Sequence, residues 1–358
     1  MLDAIDSLYG TVVPLASGGT AAIYRLHHPD RPRDLAAKVL RYDDASLNAR
    51  LCREARALAS IDHPHICRYH SVGRLLGRPC LVMELIEGTN LLEARRALRQ
   101  RAKIEAMKQV AEAVHAAHQA GVIHRDIKPQ NIMLRGGAIE PVDAVLVDFG
   151  LVWSTDEETQ LTHQGQLLGT PVYMAPEQIE NPTRAHGARV DVYGLGATLY
   201  HLLTGRPPFQ ADNQFLVLEQ VLRAEVVPLR KHDASLPPAL EAIVLRCLAK
   251  NPDDRYASAA AVAEALGALL APAPRLGWTR ALSRTIATTA GKTAPRIGSW
   301  LMATIALAML FLQPGPPRAV DGPREAPRLV APAIAAPAAA IEPDTSRADD
   351  KIASVNAA

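Results

Sequence analysis

An α+β fold of two lobes, a small β-rich one followed by a larger α-helical one, is what this 358-residue chain predicts. Three observations predict it. Residues from about 9 to 85 consist of short apolar runs of strand length around one helix-spaced segment. Residues 91–270 turn to helical periodicity, punctuated by glycines at helix-ending positions. After 270 the composition changes twice, first to a basic stretch and then to a proline- and alanine-rich one.

Within the first region, Leu35–Leu40 and Cys80–Glu84 are apolar runs too short for helices and read as strands. Between them Ala45 to Ile61 has helical spacing and stops before His63-Pro64, where proline disfavours helix in the preceding residue. In the second region Ile104 to Ala120 stops at Gly121 and Arg189 to Thr204 at Gly205, and two more helices follow over 236–249 and 257–270. No internal repeat is present.

Bulk composition narrows the function classes. A hydrophobic fraction of 48% with 21% charged residues suits a full-sized core. A formal net charge of +2 gives nucleic acid nothing to grip, so no nucleic-acid partner is expected. Cys52, Cys67, Cys80 and Cys247 are scattered without metal-ligand spacing and read as reduced, mostly buried thiols. The N-terminus has no basic segment leading into an apolar run, so no cleaved leader is expected.

The chemistry is concentrated in three motifs that occur in order. His124-Arg125-Asp126-Ile127-Lys128-Pro129-Gln130-Asn131 comes first, Asp148-Phe149-Gly150 second and Ala175-Pro176-Glu177 third. On these residues the chain, over about 9–270, resembles the protein kinase family, in particular bacterial membrane-anchored serine/threonine kinases of eukaryotic (Hanks) type. The resemblance implies a protein-kinase-like fold, with an N-lobe over about 9–85 and a C-lobe over about 91–270. It implies transfer of the γ-phosphoryl group of ATP to serine and threonine hydroxyls of protein substrates. Asp126 would orient the attacking hydroxyl, and Lys128 would neutralise charge on the phosphoryl group. Asn131 and Asp148 would hold magnesium, or manganese in its place, through hard oxygen ligands.

Further positions follow from the same resemblance. Lys38, in Ala36-Ala37-Lys38, would grip the α- and β-phosphates, with Glu54 of the following helix as its ion-pair partner. Met83-Glu84-Leu85-Ile86 resembles the hinge, where backbone groups of Glu84 and Ile86 would meet adenine. Ile23, Ala36 and Met133 would sandwich the ring, and Leu15, Gly18 and Gly19 would belong to the loop over the phosphates. That loop departs from the family pattern: alanine stands at 16 and 21 where glycine is usual. If those positions need glycine's freedom at positive φ, ATP binding is weakened. Gly169-Thr170-Pro171 with Ala175-Pro176-Glu177 resembles the substrate-docking segment. Asp191 would brace the catalytic loop, and Arg255 would pair with Glu177. In the segment between, Thr155, Thr159 and Thr162 are candidates for autophosphorylation, with phospho-Thr162 expected on Arg125. A homodimer would serve that reaction in trans. A non-catalytic scaffold on the same fold, a pseudokinase, is the rival reading.

The last 88 residues read differently. Residues 271–296 carry Arg275, Arg280, Arg284, Lys292 and Arg296 and no acidic residue, as a basic juxtamembrane linker would. Residues 297–312 are uncharged and about 24 Å long as a helix, slightly short for a bilayer span. The tail from 313 to 358 contains eight prolines and reads as disordered. The expectation is a single-pass membrane protein whose ATP-using domain faces the cytoplasm and whose tail lies outside, with 297–312 in the lipid bilayer.

Overall fold

The computed structural model describes residues 4–5, 8–19, 21–27, 30, 33–41, 43, 45–149, 171–181 and 187–271. All of these fall in the unit spanning Met1–Arg275. The segment 297–312, the tail 313–358 and the threonines at 155, 159, 162 and 170 lie outside the described residues. Among the described residues, no helix is long and apolar enough to cross a membrane.

Five antiparallel strands build the N-terminal sheet in the order β1-β2-β3-β5-β4: β1 Thr11–Ser17, β2 Ala21–His27, β3 Leu35–Leu40, β4 Tyr69–Leu75 and β5 Arg78–Glu84. Alternation along β3 sends its residues to two cores. Leu35, Ala37 and Val39 join Leu26, Leu75 and Val82 on one face. Ala36 and Leu40 face the other way, into the main core, together with Leu51, Ala55 and Leu58 of helix α1 (Ala45–Ala59). Lys38, between them in register with Ile23 on β2 and Leu81 on β5, therefore looks toward the helix and not toward the outer face.

Leu85–Glu87 lead out of the sheet into β6 (Gly88–Asn90), which pairs with β7 (Ile132–Arg135) and through it with β8 (Ala144–Leu146). The helical lobe contains α2 (Leu91–Ala94), α3 (Gln100–Gln119), α4 (Pro176–Glu180), α5 (Arg189–Thr204), α6 (Gln214–Arg223), α7 (Pro238–Cys247) and α8 (Ala259–Leu270). Helix α5 is largely apolar and buried on all sides, with Val190 to Tyr200 all buried, the carboxylate of Asp191 among them. Its close packing on α7 needs glycine: a Cβ on Gly196 would lie 2.5 Å from that of Cys247. The expected stops at 121 and 205 are present, with Gly121 at φ +76° and Gly205 at φ +78°, conformations that other residues adopt only at a cost. Asn213 and Ser258 cap α6 and α8 through side-chain oxygens that accept from Leu216 and Ala261 amides. The four cysteines are free thiols, three of them buried.

Candidate active site

The loop between α3 and β7 carries most of the polar groups, and its shape is held from below. Asp191, at the start of α5 and 1% exposed, accepts hydrogen bonds from the amides of His124 (2.8 Å) and Arg125 (2.7 Å). His118 on α3 approaches the same carboxylate at 2.7 Å. Gln178 donates to the Arg125 carbonyl at 3.1 Å. This clamp holds Arg125 at φ +64°, a conformation that costs a non-glycine residue about 1–3 kcal/mol and persists only when its surroundings enforce it. Asp148 is held at φ +64° as well, so the two left-handed residues bracket the site.

His124 sets the floor. Its Nδ1 accepts from the Asp126 amide at 3.2 Å, so Nε2 carries the proton and donates to Val147 O at 3.2 Å. Complete burial pushes its pKa below the usual imidazole value, which keeps the ring neutral in that tautomer. Phe149 lies against it, ring centroids 4.6 Å apart, and meets Tyr69 of β4 edge-on at 6.3 Å. An aromatic column thus ties the sheet to the residue after Asp148.

Above this floor stand the charged groups. Lys128 Nζ lies 2.8 Å from Asp126 Oδ2, and Asn131 Nδ2 donates to the same oxygen at 3.0 Å and to the Asp126 carbonyl at 2.8 Å. Both donors converge on Oδ2, and Oδ1 has none among the described residues. Lys38 crosses from β3 to Asp148, Nζ to Oδ1 2.5 Å, with the lysine 8% exposed. The structure thus brings Lys38, Asp126, Lys128, Asn131 and Asp148 together where the two lobes meet. The Glu54 side chain, the expected partner of Lys38, lies outside the described side chains; the backbone at 54 belongs to α1.

A divalent cation fits this donor set. Asn131 commits its nitrogen to Asp126, which turns its Oδ1 away, and Asp148 keeps one carboxylate oxygen beyond the one facing Lys38. Two oxygen donors are what a magnesium ion takes from protein when phosphate oxygens and water complete its shell. Among the described residues, no cluster of three histidine, cysteine or carboxylate groups offers an all-protein site.

The adenine positions are less uniform. Ala36 is buried, and Ile23 and Met133 pack half-buried against the same core, whereas Leu15 is 49% exposed. Ile86 has no backbone hydrogen bond among the described residues, which leaves its amide for a ligand. The Glu84 amide is already committed to Arg68 O at 2.8 Å, so only its carbonyl could meet a base, and its carboxylate pairs with Arg135 at 2.6 Å.

The phosphate-loop expectation requires correction. Ala16 pairs with Ile23, next to a register shift in the β1–β2 ladder, and Ala21 pairs with Leu40; neither has positive φ. Alanine is therefore at home there, and the argument from backbone freedom for weakened ATP binding falls away. Gly18 and Gly19 are not at positive φ either. The turn is instead clasped by Arg41, whose guanidinium donates to Gly18 O at 2.9 Å and Ser17 Oγ at 2.7 Å. The sequence carries no local signal for that clasp, nor for His118 beneath Asp191, because both link residues far apart in the chain.

Below the site, Pro171–Tyr173 form a turn that packs Val172 on Phe209, Val217 and Val221. Glu177 is anchored by Arg255 through two bonds of 2.7 and 2.8 Å.

A strand-rich lobe and a helical lobe joined at 84–87, with a lysine and two oxygen donors facing an aspartate between them, define a protein-kinase-like domain. Residues 9–266 match the family described as protein kinase domain, and the chain belongs to that family. Serine/threonine-protein kinase PknF of Mycobacterium tuberculosis is 36% identical over 309 residues, covering 83% of this chain and 63% of PknF. PknB of Mycolicibacterium smegmatis is 36% identical over 258 residues, 69% of this chain and 40% of PknB. The chain thus spans less than two thirds of the length of these relatives. Among solved structures, a cysteine-to-alanine mutant of the Mycobacterium tuberculosis PknI kinase domain matches with a TM-score of 0.56 at 25% identity, over 74% of this chain and 96% of that one. Rad53 residues 1–466 in complex with AMP-PNP matches with a TM-score of 0.58 at 25% identity, over 73% and 64%.

Proposed function

We propose that this protein is an ATP- and magnesium-dependent protein serine/threonine kinase. The observation that carries the reading is the convergence of Lys38, Asp126, Lys128, Asn131 and Asp148 on one inter-lobe space, with the loop of Asp126 held by the buried carboxylate of Asp191. Phosphoryl transfer asks the protein chiefly for positioning and charge neutralisation. Asp126, its Oδ2 engaged, presents Oδ1 to a serine or threonine hydroxyl and accepts the proton. The hydroxyl oxygen bonds to the γ-phosphorus as the bond to the ADP oxygen breaks. Lys128, beside Asp126, offsets charge on the transferring oxygens, and Lys38 holds the α- and β-phosphates against the sheet. A magnesium ion on Asn131 and Asp148 would supply further charge neutralisation at the phosphates. The 171–177 segment, seated on α6 and pinned by Arg255, presents the protein substrate. The pseudokinase alternative rested on the alanine-bearing loop, and the absence of positive φ at 16 and 21 removes that support.

Incubating purified protein with γ-labelled ATP, magnesium and a generic basic protein tests this, followed by phosphoamino-acid analysis. Label on serine or threonine supports the reading, and no transfer above a Lys38→Met control overturns it.

The same reading extends to regulation and place. Thr162, flanked by Thr155 and Thr159, is proposed as an autophosphorylation site reached in trans within a homodimer, and phosphopeptide mapping of the active enzyme would find phosphate there. Residues 297–312 are proposed as a membrane anchor that keeps the catalytic domain cytoplasmic. A periplasmic-type reporter fused after Ala358 would then be active.

A further inference from the structure

A cleft of about 750 Å³ opens on the hinge, and none of the five catalytic-site residues lines it. Its walls come from both lobes: Arg25 and Leu35 from β2 and β3, Arg68 and His70 at the start of β4, Glu84, Leu85 and Glu87 of the hinge, and Arg135 at the end of β7. A space of that size exceeds what one phosphate or one carboxylate fills and suits several residues of an extended segment.

Its charges are unevenly used. Four guanidinium groups, of Arg25, Arg33, Arg68 and Arg135, face three carboxylates, of Asp34, Glu84 and Glu87. Each carboxylate is taken: Asp34 by Arg25 and His27, Glu87 by Arg25 at 3.3 Å, and Glu84 by Arg135 at 2.6 Å. Arg135 also reaches Asp143 at 3.2 Å. Arg33 is exposed and has no ion pair among the described residues. Arg68 pairs at 2.7 Å with Asp62, which is not part of the wall; the two side chains are 65% and 83% exposed. Exposed pairs of that kind hold weakly, so Arg68 can exchange Asp62 for a better-placed acid. Half-buried Leu85 supplies apolar surface in the same wall as the two available guanidiniums.

We infer that this outer-hinge cleft docks an acidic, leucine-bearing peptide segment of a protein partner. Arg33 and Arg68 receive its carboxylates in two-pronged hydrogen bonds, and an apolar side chain settles on Leu85. The identification of that partner as a phosphorylation substrate rests on the kinase reading; the binding itself does not. A docked substrate is held at high local concentration near the catalytic groups, which lowers KM and leaves kcat unchanged.

The test uses full-length protein and a short fluorescent peptide rich in glutamate and aspartate with interspersed leucines, followed by anisotropy. Saturable binding of this peptide is expected, with none for the same peptide carrying lysine at the acidic positions. Arg33→Glu/Arg68→Glu should weaken binding by about tenfold or more with an unchanged melting temperature. If that double variant does not fold, Arg33→Ala and Arg68→Ala are each expected to weaken binding about threefold. Fusing the acidic segment to a substrate peptide should lower its KM in wild type only. Equal binding of the lysine peptide, binding indifferent to the arginine variants, or displacement by millimolar inorganic phosphate would each overturn the proposal. Binding without phosphate transfer would instead count against the kinase reading and leave the docking site standing.

Discussion

Replacing Arg255 by methionine should destabilise the folded domain by about 3–5 kcal/mol, the range expected when one member of a buried ion pair is removed. The Arg255 side chain is fully buried, and its two bonds to Glu177 are 2.7 and 2.8 Å long. It also donates to the carbonyls of Ala249 (2.8 Å), Arg189 (3.1 Å) and Lys250 (3.0 Å). Methionine fills most of the volume but leaves the carboxylate and three carbonyls without their donor. Glu177 is itself only 20% exposed, so water replaces the lost bonds poorly. For a domain of this size each kcal/mol lowers Tm by about 2–4 °C, giving a fall of about 6–20 °C. Urea unfolding followed by circular dichroism measures the same loss as a shift of midpoint. Glu177→Met/Arg255→Met should recover part of it, because no buried carboxylate is then stranded. A loss below about 1 kcal/mol for the single variant, or strict additivity in the cycle, would refute this reasoning.

Three further outcomes follow from particular contacts. His201 Nδ1 lies 2.7 Å from Tyr173 Oη; burial, with Arg95 adding to it, pushes its pKa down to about 4. Since the folded state then resists protonation that the unfolded chain accepts, its contribution is intact above about pH 6.5 and is lost as pH falls toward 4. His201→Gln should flatten the stability–pH curve in that window, and an unchanged slope would count against it. Gly196→Ala should cost about 1–3 kcal/mol, because the added methyl meets Cys247, and a variant as stable as wild type would contradict the packing. Ala16→Gly/Ala21→Gly should leave the KM for ATP within about twofold, since neither alanine stands at positive φ; a clear fall in KM would restore the argument for a damaged loop.

Much of the scaffold was legible because its signals are local. Gly205 ends α5 where the apolar pattern stops, and the predominance of apolar residues on every side of that helix marks it as central. The short runs at 35–40 and 80–84 became neighbouring strands because each is too short and too apolar for anything but a buried sheet. The site was legible through three motifs, yet their mutual geometry was not. Nothing near Asp191 announces that His118, 73 residues earlier, will share its carboxylate, and nothing near Ser17 announces Arg41. The alanines of the phosphate loop misled for the converse reason: a family pattern records which residues are usual, whereas the local backbone decides what is required. The outer-hinge cleft assembles arginines from four separate stretches, so no window of sequence contains it.

Asp126 is proposed to direct transfer within a site assembled to bind nucleotide independently of it. Asp126→Asn keeps the shape and the acceptor oxygen that Lys128 and Asn131 meet, but cannot take the hydroxyl proton. Calorimetric titration of this variant with magnesium and ATP, alongside transfer from γ-labelled ATP, separates the two functions. The expected result is an affinity within about threefold of wild type and a transfer rate reduced by about a hundredfold or more. Transfer surviving at more than a few per cent of the wild-type rate would contradict it.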